Sequence, residues 1–233
     1  VPTIQCALEK ALLIAAGVET RIAVAGRTDA GVHALGQVVA FEVPDGTDLR
    51  RLRGSLNALA GRGIAVVTLE PTHVSFDPRR DALSRTYRYT IVNARPASPF
   101  FDDRSWTLYR PLDLELLGRS ASLMLGQHDF AAFRSADCQS RSTLRTVTRS
   151  EWLRDGPILT YTVTANAFLK QMVRALVGTM IDVAIGKLPQ DRIAALFAGG
   201  SRAQAGQTAP AKGLTLLAVE YPEPGQIESR RCY

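Results

Sequence analysis

Arg21-Ile22-Ala23-Val24-Ala25-Gly26-Arg27-Thr28-Asp29-Ala30-Gly31-Val32-His33-Ala34-Leu35-Gly36-Gln37-Val38-Val39-Ala40-Phe41-Glu42-Val43 reads as two strands around a tight, glycine-bounded turn. The first run carries β-branched residues, and in the second Val39, Phe41 and Val43 share one face of a period-two pattern. Asp29 therefore sits on a loop between strands. Gly26 and Gly31 are free to adopt φ > 0, which keeps such a loop compact while it aims a side chain outward. That is how a working carboxylate is presented.

Working outward, residues 3 to 16 carry Ile4, Ala7, Leu8, Ala11, Leu12 and Ala15 at helical spacing, with Pro2-Thr3 as entry and Gly17 as stop. Pro44-Asp45-Gly46-Thr47 turns into a helix with Leu49, Leu52, Leu56 and Leu59 inward and Arg50, Arg51 and Arg53 outward. Ile64 to Leu69 reads as a further strand, so the first half runs α-β-β-α-β, a sheet with helices on one face. A polar connection over 71 to 81 holds Arg79 and Arg80, and the boundary between halves is set near residue 78.

Beyond it, Leu83 to Ile91 alternates, with Arg85, Tyr87 and Tyr89 on one face. Aromatics among arginines suit base stacking and phosphate contact, and they equally suit a cross-strand aromatic pair beside solvated charges. A helix is expected from Asp113 to Leu125 with Leu114, Leu117, Ala121 and Leu125 inward, followed by a loop over Gly126 to Phe130. Arg134, Arg141, Arg145 and Arg149 then mark a basic rim, and Asp155-Gly156 signals a hairpin between Thr146 to Leu153 and Ile158 to Asn166. A helix over 168 to 186, a short one over 191 to 197, a small-residue loop and a last strand from Leu214 to Tyr221 follow, before a final polar dozen residues. The fold class expected is α+β: two tandem α/β-sandwich-like halves, residues 1–78 and 79–233, with mainly antiparallel sheets, helices on one face and an active-site cleft between them.

The helix over 168 to 186 is apolar around most of its circumference, yet Arg174 lies in its middle. A guanidinium cannot shed its proton and is costly to bury unpaired. Asp29 is the preferred counter-ion; the alternatives are Asp182, eight residues on and too far for an i, i+4 pair, or solvent.

Composition narrows the chemistry. The 233 residues carry a net charge of +6, with 24 Arg against 4 Lys, a bias toward the planar group that suits phosphate and equally one that a GC-rich genome produces. Cys6, Cys138 and Cys232 are odd in number and far apart, which argues against a disulfide framework or a thiolate zinc site and fits a reducing cytoplasm. His33, His73 and His128 are scattered without metal-ligand spacing, so no metal is expected. The Gly26-to-Gly31 spacing mimics a phosphate loop but continues Val32-His33, so no nucleotide cofactor is expected. The most apolar helix contains Lys170, Arg174 and Asp182, so no membrane span is expected.

Ala25 to Val38 closely resembles the first motif of the TruA family of tRNA pseudouridine synthases. Arg85-Thr86-Tyr87-Arg88-Tyr89 resembles its second motif, Asp129-Phe130 through Phe133-Arg134-Ser135 and Cys138-Gln139-Ser140-Arg141 its connecting segment, and Asn166 to Arg174 with Gly178 its third. Thr208-Ala209-Pro210-Ala211 with Gly213-Leu214 resembles its C-terminal signature. The resemblance implies Asp29 as catalytic aspartate, Arg174 as its ion-pair partner and Tyr87 as the aromatic stacking on the target base. It implies Arg27 as the residue filling the flipped nucleotide's vacated position. With the basic surround, Arg27, Arg79, Arg85, Arg134 and Arg141 become the candidate RNA-binding arginines.

The implied activity is isomerisation of uridine to pseudouridine at positions 38 to 40 of the tRNA anticodon stem-loop, by a cytoplasmic homodimer without cofactor or metal. Family members also begin with a strand and a Gly- and aromatic-rich segment ahead of the first helix; here Val1-Pro2-Thr3 leads straight into it, and residues preceding this numbering are expected. The rival reading is a tRNA-binding protein of the same fold without catalysis. A glycosidase would want two facing carboxylates, and the Asp29 turn offers one.

Overall fold

The computed structural model describes residues 3–96 and 98–223; Pro2, Cys232 and the final polar residues lie outside the described residues. In chain order the elements are α1 (Ile4–Ala16), β1 (Ala23–Val24), β2 (His33–Ala34), β3 (Val39–Ala40), α2 (Leu49–Leu59), β4 (Ser84–Val92), β5 (Trp106–Thr107), α3 (Leu114–Ser122), β6 (Gly126–Asp129), β7 (Leu144–Asp155), β8 (Ile158–Ala165), α4 (Met172–Ala184), α5 (Arg192–Phe197) and β9 (Leu214–Glu220). The mixed α and β content agrees with the expected class. Two compact units emerge among the described residues: residues 3–26, 38–81 and 221–223, and residues 27–37 with 82–220.

In the first unit, the Thr3 hydroxyl accepts from the Cys6 amide and caps α1, and Gly17 closes it at φ 68, the left-handed geometry that glycine supplies without a Cβ clash. Leu8, Ala11 and Leu12 of α1 are buried with Leu52 and Leu56 of α2 and with Ile22. Leu59, expected inward, is exposed. β1 and β3 pair antiparallel, Ala23 opposite Ala40 and Val24 opposite Val39. The expected strand over Ile64 to Leu69 does not form. Asn57 of α2 accepts from the Val66 amide (2.6 Å) and donates to its carbonyl (3.0 Å), so a helix side chain answers backbone groups that a ladder would use. Tyr221 returns to this unit, its ring 5.1 Å from Phe76 and its hydroxyl donating to Pro78 O.

The second unit is built on a seven-stranded sheet ordered β2-β9-β4-β8-β7-β6, with β5 parallel to β4. Most pairings are antiparallel; β2 runs parallel to β9, His33 opposite Thr215. Residues 126–129, expected as a loop, form β6 against β7, because the Gly126 φ of 94 turns the chain out of α3 and directly into the ladder. The β7–β8 hairpin turns at Gly156, φ 53. Leu117 and Ala121 of α3 are buried, whereas Leu114 and Leu125, expected inward, are exposed. The helix expected from 168 starts at Met172, because Gln171 is held in the left-handed region at φ 62. Every residue of α4 except Arg174 is buried.

The two units are not two like halves: the first has a two-stranded ribbon and two helices among its described residues, the second a seven-stranded sheet. The Asp29 loop also groups differently from a division at residue 78. Strand pairing of β2 with β9, and the Leu35 amide donating to Leu216 O at 2.8 Å, tie residues 27–37 to the second unit.

Candidate active site

Asp29 stands at the head of a turn in which the Val32 amide donates to the Asp29 carbonyl, and Gly31 takes φ 82. A Cβ at Gly31 would make only ordinary contact with Ala211 Cβ at 3.4 Å, so glycine serves the left-handed conformation rather than the fit. Gly26, expected to share that freedom, has no positive φ. After the turn, β2 fixes the loop on β9, and His33 Nε2 lies 3.0 Å from Asp103 O.

The Asp29 carboxylate meets the Arg174 guanidinium across 145 residues, Nη1 donating to Oδ2 at 2.7 Å. The arginine side chain is 15 % exposed and the aspartate 24 %, so one edge of the pair remains reachable from solvent. Arg174 Nε donates to Ala209 O at 2.8 Å, and the Ala209 amide donates back to Arg174 O. The planar guanidinium is thereby fixed at two of its nitrogens, and its orientation cannot drift without breaking a bond. Neither Asp182 nor solvent alone is its partner.

Tyr87 lies on β4 opposite Val163 of β8, and its ring meets Phe168 edge-on, centroids 5.1 Å apart at 85°. Burial pushes its phenol up to about 12, the Arg85 charge opposing and the Asp29 charge adding to the rise. At neutral pH Tyr87 is thus a protonated phenol within the field of the carboxylate. Burial raises Tyr89 and Tyr161 as well. Tyr89 donates to Pro210 O at 2.7 Å, and Gly213 sits so close to its ring that a Cβ there would collide.

These three phenols ionise later in the folded chain than in the unfolded one, where tyrosine titrates near 10. The native state therefore binds more protons above pH 10, and the stability they contribute is full below about pH 10 and lost as pH rises through the folded values. Absorbance at 295 nm should show at most three of the six tyrosines ionising while the far-ultraviolet signal is native. Ionisation of all six near pH 10 without unfolding would contradict these burials.

The candidate arginines divide. Arg27 is exposed and makes no hydrogen bond or ion pair with another described residue. Arg85 Nη1 donates to Ala82 O and Asn166 O, so part of its fork is spent on the fold. Arg134 is half-buried and Arg141 exposed, both bracketing the 135–140 loop. Arg79 belongs to the first unit, in a turn where its amide donates to Asp77.

Two features escape sequence reasoning. Lys170 pairs with Asp137, which raises the lysine, and the Asp29 charge reaches it too. Ala209 and Pro210 contribute only backbone groups, the Ala209 carbonyl and amide and the Pro210 carbonyl, which no side-chain pattern marks. No group of three or more His, Cys, Asp or Glu side chains suited to a metal ion occurs among the described residues, and no described helix is long and apolar enough to cross a membrane.

Residues 121–222 match a family model described as tRNA pseudouridine synthase. The chain is 41 % identical over 219 residues to tRNA pseudouridine synthase A of Geotalea daltonii, covering 94 % of this chain and 90 % of that protein. It is 40 % identical over 222 residues to tRNA pseudouridine synthase A of Myxococcus xanthus, covering 94 % and 83 %. The protein of that name from Francisella tularensis subsp. novicida is 36 % identical over 222 residues, covering 95 % and 86 %. With 36–41 % identity to these relatives over nearly its whole length, the chain belongs to the tRNA pseudouridine synthase family.

Proposed function

We propose that this protein isomerises uridine to pseudouridine in tRNA, at positions 38 to 40 of the anticodon stem-loop, with Asp29 as the catalytic carboxylate. Pseudouridine synthases are isomerases, and the observation that carries the reading is the Asp29–Arg174 pair, fixed by Ala209 and still open along one edge. The reaction breaks the N1–C1′ bond, turns the uracil, forms C5–C1′, passes the C5 proton to solvent and returns a proton to N1. A carboxylate can open it by attack at C1′ of the ribose or at C6 of the base. Arg174 supplies the opposite charge and the aim. Tyr87 offers its ring to the loosened uracil and a hydroxyl that donates a hydrogen bond at neutral pH.

Such chemistry requires the uridine to leave its stack. Arg27, exposed two residues from Asp29, is assigned to the space the flipped nucleotide vacates, and Arg79, Arg85, Arg134 and Arg141 to phosphate contacts. The protein works in the cytoplasm as a homodimer whose second subunit helps hold the tRNA, and the isomerisation uses no cofactor. Site choice, dimer and compartment rest on the family resemblance.

Tyr87→Ala should lower the isomerisation rate at least about a hundredfold while tRNA binding changes less than about threefold, since the ring acts after docking. Equal losses in filter binding and turnover would remove it from the base-facing role. The assignment of positions is tested with unmodified transcripts retaining one uridine at 38, 39 or 40. Pseudouridine at these positions supports the reading; modification only elsewhere overturns the site choice; tight binding with no product favours the non-catalytic tRNA binder.

A further inference from the structure

Asp182 is 1 % exposed on α4 and takes no part in the chemistry proposed above. It lies eight residues beyond Arg174, about 12 Å along the helix, so it cannot touch the Asp29 pair. All its side-chain partners are donors: the Gln207 amide at 3.1 Å, Gln207 Nε2 at 3.3 Å and Lys187 Nζ at 3.3 Å. One turn earlier, Thr179 Oγ1 accepts from the Gly206 amide at 3.0 Å. Two successive amides of the segment 206–210 are thus held by α4 side chains. Gly178 and Gly206 allow the close approach, since a Cβ at either would run into the other partner's backbone.

Three residues along, the same segment delivers its carbonyls to the site: Ala209 O to Arg174 Nε and Pro210 O to the Tyr89 hydroxyl. Arg202 braces the far side, donating to Gly206 O and Thr208 Oγ1. The span from Gly206 to Pro210 is a strap whose one end is tied to a buried carboxylate and whose other end fixes the guanidinium.

We infer that Asp182 is a positioning residue for the Asp29–Arg174 pair, acting through the strap 206–210; this rests on the catalytic reading of that pair. A carboxylate is wanted because every facing group donates. An asparagine of the same shape would turn an amide N–H toward Gln207 or Lys187, leaving donors face to face in a buried place.

The test compares Asp182→Asn and Thr179→Val with the wild type. Asp182→Asn should lower kcat roughly ten- to hundredfold, as a displaced but intact catalytic group does, with KM for tRNA within about threefold. Thr179→Val should show the same kcat-specific loss in smaller measure, and carries the kinetic test alone if Asp182→Asn does not fold. In an Arg174→Lys background, which has no Nε–H for Ala209, Asp182→Asn should add little; a merely structural role would cost the same factor in both backgrounds. Proton exchange at Arg174 Nε, read by NMR, should be slow in the wild type and fast in either variant.

Loss confined to KM, equal factors in both backgrounds, or unchanged Nε exchange overturns the inference. Wild-type protein that makes no pseudouridine, yet whose Nε exchange quickens in either variant, would overturn the proposed function while keeping the strap's hold on Arg174.

Discussion

The Asp29→Asn protein is expected to release no detectable tritium from tRNA labelled at uridine C5, while binding the same tRNA within a few-fold of the wild type. Asparagine preserves shape, but it presents a neutral amide where the proposed reaction needs a carboxylate oxygen to begin bond exchange. Losing the group that opens a covalent step costs several orders of magnitude, about 10⁴-fold or more by comparison with other catalytic nucleophiles. Asp29 is 24 % exposed and its loop is held by β2 pairing and by Gly31, none of which the substitution touches. The fold should therefore survive, and circular dichroism should match the wild type.

Arg174→Met carries the second largest effect. Methionine keeps the length and much of the apolar stem packing of α4 but removes the donors to Asp29 Oδ2 and Ala209 O. Breaking a buried pair typically costs about 3–5 kcal/mol, and the partial exposure of this one reduces that through solvent screening. Turnover should fall about a hundredfold or more, equivalent to roughly 3 kcal/mol of transition-state stabilisation. The protein should still melt cooperatively, because the remaining twelve residues of the 13-residue α4 stay buried. Turnover within about threefold of the wild type would remove Arg174 from the site.

Much of this site was legible before any coordinates. An arginine in a helix apolar around most of its circumference demands an anion; that demand alone left Asp29, Asp182 and solvent open, the family resemblance singled out Asp29, and the 2.7 Å contact meets it. The Asp155-Gly156 turn, the caps of α1 and the buried Leu52 and Leu56 of α2 were equally readable, because hairpin glycines, hydroxyl caps and helical periodicity are local signals. What escaped depends on partners distant in sequence. Ile64 to Leu69 has strand composition but pairs with no strand among the described residues, and Asn57 takes the amide and carbonyl of Val66. His33-Ala34 has no pattern of its own and becomes β2 only because β9 offers an edge. Gln171 interrupts an apolar run that periodicity extends back to residue 168, since a single left-handed residue leaves no compositional trace. The carbonyls of Ala209 and Pro210 are invisible for the same reason: every residue has one.

The most direct test is mass-spectrometric mapping of unmodified tRNA after incubation with the wild-type protein and, in parallel, with Asp29→Asn. Pseudouridine with the first and none with the second is the predicted result. Equal pseudouridine with both, or none with either, would contradict Asp29-dependent isomerisation by this chain.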